Sequence, residues 1–262
     1  MTSQNPYAVA ENIDGGDQFP AKWIAAAAAF RDRAHVRMTT LSYGESDRQT
    51  MDLFWPEGQP GCLCVFVHGG FWRITNRDVW SHLASGMVAR GWLVAVPGYD
   101  LCPQVRVSQI TRQIARAVDV AAAQAAGPIV LTGHSAGGHL VARMLEPGML
   151  RPSVRDRVKR VVPISPLADL EPLLTTPYNA ELQLDLEEAR AESPVNMPAP
   201  DGTDVEVWVG ADETPVFLDQ ADWLARAWNV QLTRVEGRHH FDVIDALIDS
   251  ESALVQLLSG AA

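Results

Sequence analysis

The stretch Ile129-Val130-Leu131-Thr132-Gly133-His134-Ser135-Ala136-Gly137-Gly138-His139-Leu140-Val141 decides how this chain is read. Its first four residues are apolar or β-branched, as a strand covered on both faces requires. Leu140, Val141, Met144 and Leu145 then recur at helical spacing. Between them stands Gly-x-Ser-x-Gly, the pattern of a sharp strand-to-helix turn that lifts a serine hydroxyl to the carboxyl end of a sheet. Glycine is required at 133 and 137 because a Cβ in so tight a turn would strike neighbouring backbone. Ser135 is then expected at the N-terminus of a helix, whose dipole favours developing negative charge.

The rest of the chain supplies the sheet that such a turn needs. Cys62 to Val67, Leu93 to Val96 and Val161 to Ile164 are almost continuously apolar, as central parallel strands are, whereas Val36 to Tyr43 and Val230 to Val235 alternate apolar with polar, as strands near an edge do. Val205 to Val209 is intermediate. Between the strands, Val79, Leu83 and Met87 with Trp80, Ala84 and Val88 form one helical stripe, ended by Gly91. Val107, Ile110, Ile114, Ala117, Val118 and Ala121 form another. Strand alternating with helix predicts an α/β fold, a mostly parallel central sheet with helices on both faces, as a single domain over residues 1–262. Two segments interrupt the alternation. Residues 1–34, helical from Ala21 to Arg33, form an N-terminal arm. Residues 165–202, rich in Pro and acids with a short helical candidate near Ala180 to Ala191, form an insertion of the kind that makes a lid or pocket wall.

Composition excludes several function classes. The chain has 262 residues, 47% hydrophobic and 20% charged, which argues against disorder. Lys and Arg number 21 against 32 Asp and Glu, a net charge of −11 with no basic run, so a nucleic-acid partner is not expected. Cysteines number three, and Cys62 and Cys64 point to one face of a strand, so no disulfide framework is indicated. No apolar stretch approaches the ~18 residues that span a bilayer, so no membrane partner is expected. A soluble cytoplasmic protein is the expectation.

A serine hydroxyl needs a base that is itself oriented by an acid. With this turn the chain order is serine, then Asp or Glu, then His, each after a strand. Asp212 follows Val205 to Val209. Because Thr214-Pro215 already supplies an N-cap and first-turn pair, Asp212 is read as the free acid, with Glu213 as its alternative. Downstream of Asp212, histidine occurs only as His239-His240, and position leaves either as the base. The same pair with Asp242 lacks the spread of ligands a zinc site shows, so no metal is expected. Negative charge on a substrate oxygen needs backbone N–H donors. Ala136, just after the serine, offers one, and Gly69-Gly70 in Val67-His68-Gly69-Gly70-Phe71-Trp72 let the backbone swing toward a carbonyl. His68, His134, His139, His35 and His82 are read as structural.

Taken together, His68-Gly69-Gly70-Phe71-Trp72, Tyr99-Asp100-Leu101-Cys102-Pro103, Gly133-His134-Ser135-Ala136-Gly137-Gly138-His139 and His240-Phe241-Asp242 resemble the arylformamidase (kynurenine formamidase) group of α/β-hydrolases, near the hormone-sensitive-lipase-like esterases. The esterase relatives usually carry His-Gly-Gly-Gly, and Phe71 in place of the third glycine points toward the formamidases. The resemblance implies Ser135 as nucleophile, Asp212 as orienting acid and, as the His before Phe, His240 as base. It further implies Gly69, Gly70 and Ala136 as the oxyanion hole. Phe71, Trp72 and Tyr99 are expected to offer aromatic surface to an arylamine ring. The implied activity is acyl-serine hydrolysis of an N-formyl arylamine such as N-formylkynurenine, without a cofactor. A general carboxylesterase for aryl or short-chain acyl esters is the alternative, and a binding protein on a hydrolase scaffold the remote one. The expected partner is a small acyl substrate; monomer and homodimer both stay open.

Overall fold

The computed structural model describes residues 5–261, so the first four residues of the expected arm and the last residue of the chain lie outside it. Its strands are β1 (Arg37–Ser42), β2 (Thr50–Trp55), β3 (Leu63–Val67), β4 (Leu93–Pro97), β5 (Ile129–His134), β6 (Val158–Ile164), β7 (Asp204–Gly210) and β8 (Gln231–Val235). They form one eight-stranded sheet in the order β1-β2-β4-β3-β5-β6-β7-β8. The β1–β2 and β2–β4 pairs are antiparallel and all others parallel. This is the mostly parallel α/β sheet that the strand and helix pattern predicts, and the α/β-hydrolase architecture that the resemblance implies.

Burial follows the strand sequences. β3, β4 and β5 are buried at every position, while β1 is largely exposed and β8 only half-buried. Along β3, Leu63, Val65 and Val67 enter one core and Cys64 and Phe66 the other, the alternation a pleated strand imposes. One core is closed by α3 (Val107–Ala121), α4 (Ala136–Arg143) and α8 (Pro215–Trp228), the other by α1 (Phe19–Arg31), α2 (Ser85–Ala89) and α9 (Ala253–Ser259). The alanine-rich α1 buries Trp23, Ala27 and Phe30 at helical spacing, and the Trp23 ring packs 4.7 Å from that of Trp80.

Two features depart from the sequence reading. β2 was not predicted: Asp52 interrupts its apolar run, yet Asp52 is buried because Thr40 Oγ1 donates to it at 2.8 Å and the Arg77 guanidinium lies 3.2 Å away. The helical candidate in the insertion is two helices, α6 (Asn179–Leu182) and α7 (Leu186–Glu192), parted by Gln183 in the left-handed region at φ 53°. α7 is tied to α3 and α4 by Arg106 with Glu188 and by Arg143 with Glu192. No described helix is long and apolar enough to cross a membrane.

Candidate active site

The turn after β5 holds Ser135 at φ 56°, ψ −116°, a strained conformation for a residue with a side chain. Its neighbours explain why glycine flanks it. A Cβ on Gly137 would come within 1.9 Å of the Val67 carbonyl oxygen, and one on Gly133 within 2.4 Å of the Gly137 oxygen. The Ser135 N–H is tied to the Ile164 carbonyl at 2.9 Å. Ala136 opens α4, so its N–H has no acceptor within the helix and stays available beside the hydroxyl.

The glycine loop after β3 is fixed from beneath. The Tyr99 hydroxyl donates to the His68 carbonyl at 3.0 Å, and Thr75 Oγ1 and His68 Nδ1 donate to the Gly69 carbonyl at 3.0 and 2.8 Å. In a trans peptide the N–H opposes its C=O, so anchoring these two carbonyls turns the N–H groups of Gly69 and Gly70 the other way. Both glycines line a cavity that Ser135 also lines, and a Cβ on Gly69 would sit 3.1 Å from that of Ser135. Gly70 has φ 111°, accessible to glycine at little cost. Burial holds His68 down at about 4, so it is a neutral, hydrogen-bonding prop, stacked 4.3 Å from the Tyr99 ring.

Beside the turn, with its ring 4.6 Å from that of His134, His240 donates from Nδ1 to Glu213 Oε2 at 2.5 Å. The Glu213 side chain has no exposure, and its other oxygen accepts from the Gly210 N–H at 2.9 Å and from the Ser165 hydroxyl. With Nδ1 committed to a buried carboxylate, Nε2 is the nitrogen left to exchange a proton. The His240 backbone is held too, since His134 Nε2 donates to its carbonyl at 2.8 Å. Desolvation keeps the His134 pKa well below the ordinary 6.5, so this donor is the neutral ring.

The carboxylate that meets His240 is therefore Glu213, the alternative of the sequence reading, and not Asp212. Asp212 is exposed, and its carboxylate has no hydrogen bond to His240; its backbone N–H is engaged with the Arg238 carbonyl at 2.9 Å. The loop closes by that bond, and the next side chain turns inward. His239 is half-buried at the edge of the Phe19 ring, with Nδ1 3.1 Å from Asp242 Oδ1. Of the expected aromatic contacts, Phe71 lines the cavity, but Trp72 and Tyr99 do not. Both are fully buried: Tyr99 is the prop beneath the glycine loop, and Trp72 stands edge-on to His139, 4.9 Å away.

The cavity measures about 440 Å³. Its aromatic wall comes from Trp23, packed on Trp80 and Phe241, and from Phe71, packed on Tyr178; of these, only Phe71 was expected from the sequence to face a substrate. Val9, Gly16, Pro20 and Ile24 of the arm complete it. A lone aromatic in an arm carries no sign of where it packs, but Phe241, adjacent to His240, was legible by position.

Comparison with known proteins gives a consistent set. The pattern of the family described as alpha/beta hydrolase fold matches residues 64–240. The chain is 30% identical over 243 residues to a kynurenine formamidase of Drosophila melanogaster, covering 84% of this chain and 80% of that one. It is 28% identical over 252 residues to a kynurenine formamidase of Danio rerio, covering 90% and 86%. A solved protein of Silicibacter sp. tm1040, described as a "putative thioesterase", is 51% identical with a TM-score of 0.94 over 97% of both chains. An esterase from Pyrobaculum calidifontis shares the fold at 17% identity and a TM-score of 0.75, over 99% and 93%.

Proposed function

We propose, from the premise that this chain belongs to the alpha/beta hydrolase fold family and is a hydrolase, that it cleaves an N-formyl arylamine such as N-formylkynurenine through an acyl-serine intermediate. The observation that carries the mechanism is the buried Glu213–His240 pair facing the cavity that Ser135 lines. His240 Nε2 takes the Ser135 proton as the hydroxyl oxygen attacks the formyl carbon, and Glu213 holds the imidazole in the Nδ1–H tautomer and stabilises the cation that forms. The N–H groups of Ala136, Gly69 and Gly70 receive the oxyanion. His240 then returns the proton to the departing amine, and water repeats the sequence in reverse to release formate. The formyl group needs almost no room on the acyl side, while Phe71, Tyr178, Trp80 and Phe241 give an aryl leaving group flat apolar surface. The formamidase relatives support this choice of substrate.

A second reading, hydrolysis of an ester or thioester, is favoured by the description of the 51%-identical neighbour. The test is kcat/KM on N-formylkynurenine against p-nitrophenyl acetate and a short acyl thioester, with Ser135→Ala as the control. A preference for the formamide, lost by several orders of magnitude in the control, is expected. A preference for either ester removes the formamidase assignment, and a control that loses less than tenfold removes Ser135 as the nucleophile.

A further inference from the structure

Among the described residues, Arg73 is the one Lys or Arg on the lining of the cavity, whose walls are mostly apolar and aromatic. It stands in the tight turn Gly70 to Arg73, closed by its own N–H to the Gly70 carbonyl at 3.0 Å, so its position is tied to the loop that presents the glycine N–H groups. The guanidinium carbon lies 4.8 Å over the Tyr178 ring, which orients the fork, and Nη1 donates to Glu181 Oε1 at 2.6 Å. Its Nε is buried and has no hydrogen-bond partner. A guanidinium carries five N–H donors in a rigid plane, and a buried, charged donor without an acceptor is costly. Glu181, itself half-exposed, meets the fork at one nitrogen only.

We infer that Arg73 is a specificity-determining residue that binds a carboxylate on the leaving-group part of the substrate. The acyl carbon is held at Ser135 and the aryl ring along Phe71 and Tyr178, and a carboxylate beyond that ring reaches the guanidinium at the cavity rim. A carboxylate fits the planar guanidinium with charge-assisted hydrogen bonds to the N–H groups that Glu181 leaves open. Asp17, the other acid or base of fixed charge on the lining, is exposed on the arm, where solvent screens it, and does not cancel the attraction. This deepens the proposed reading and rests on Ser135 as the nucleophile, but not on the substrate's being a formamide.

The test uses a matched pair of aryl acetates, 3-(4-acetoxyphenyl)propanoate and its neutral propanamide, which differ only in the charge of the leaving group's tail. The wild-type chain is expected to favour the acid in kcat/KM by roughly 10- to 100-fold, the range of a charge-assisted hydrogen bond. Arg73→Gln brings the ratio to about one, with KM for the acid carrying the change, and Glu181→Gln, which removes the competing negative charge, raises the ratio above wild type. An equal preference in the wild type overturns the inference. So does an Arg73→Gln variant that lowers both substrates alike and keeps the ratio, the signature of an arginine that only pins Glu181. Turnover of neither ester fits an acyl pocket that admits only the smaller formyl group, and leaves the nucleophile to the Ser135→Ala control. In that case calorimetric binding of 3-phenylpropanoate against 3-phenylpropanamide decides the carboxylate question: selective binding of the anion, lost in Arg73→Gln, sustains it, and equal binding sinks it.

Discussion

Exchanging Glu213 for Gln removes one charge and almost no volume, which makes it the sharpest probe of the site. Glu213 accepts three hydrogen bonds, from His240 Nδ1, the Gly210 N–H and the Ser165 hydroxyl. An amide keeps one oxygen, which stays with Gly210 and Ser165, and turns its NH2 toward His240. That donor forces the imidazole into the tautomer bearing hydrogen on Nε2, which cannot accept a proton from Ser135. The imidazolium also loses its counter-charge in a site with no solvent to replace it. Together these predict a fall in kcat on the order of 10⁴-fold, about 5 kcal/mol of transition-state stabilisation, with KM nearly unchanged. The exposed carboxylate of Asp212 makes no hydrogen bond among the described residues, so Asp212→Asn is expected to stay within about twofold of wild type, as surface substitutions do. Steady-state kinetics on one substrate with all three proteins, with circular dichroism to verify folding, measures both. A Glu213→Gln variant retaining more than a tenth of the activity, or Asp212→Asn falling as far, would refute the assignment of the acid.

His240→Ala is expected to cost several orders of magnitude in kcat and His239→Ala less than tenfold; the reverse ranking moves the base to His239. Gly137→Ala should abolish soluble folded protein or cost upwards of about 3 kcal/mol in urea unfolding, since its Cβ would sit 1.9 Å from a backbone oxygen, while Gly61→Ala, with open space around it, should change stability by less than about 0.5 kcal/mol. Burial lowers His68 to about 4 and His139 to about 3. The unfolded chain therefore binds more protons below the ordinary 6.5, and folding stability should be complete above that value and fall as the pH drops toward 4. Denaturant midpoints that do not move across this window would contradict neutral buried histidines.

The central sheet was legible because a strand covered on both faces has no polar alternative, so β3, β4 and β5 announce themselves as apolar runs. β2 was not, because Asp52 is neutralised by Arg77, a partner 25 positions away that no local pattern reveals. Within the site, the turn at Ser135 and the glycine loop are readable, since steric demands on the backbone leave glycine as their mark. The choice between Asp212 and Glu213 was not. Adjacent side chains in a loop point in different directions, and what settles them is the bond from the Asp212 N–H to Arg238, a contact between loops. Trp72 and Tyr99 failed for a related reason: an aromatic residue beside a site packs either toward the substrate or beneath the loop, and its identity is the same in both cases.

The arm has a consequence of its own. The family match begins at residue 64, yet part of the cavity wall is built from Val9 to Ile24, upstream of it. On the proposed mechanism, the groups that break a bond and some of those that line the way in are thus encoded in separate stretches of one chain. Selection can rewrite the entrance without disturbing the proton path, so enzymes sharing this catalytic equipment are free to diverge in diet through their first thirty residues.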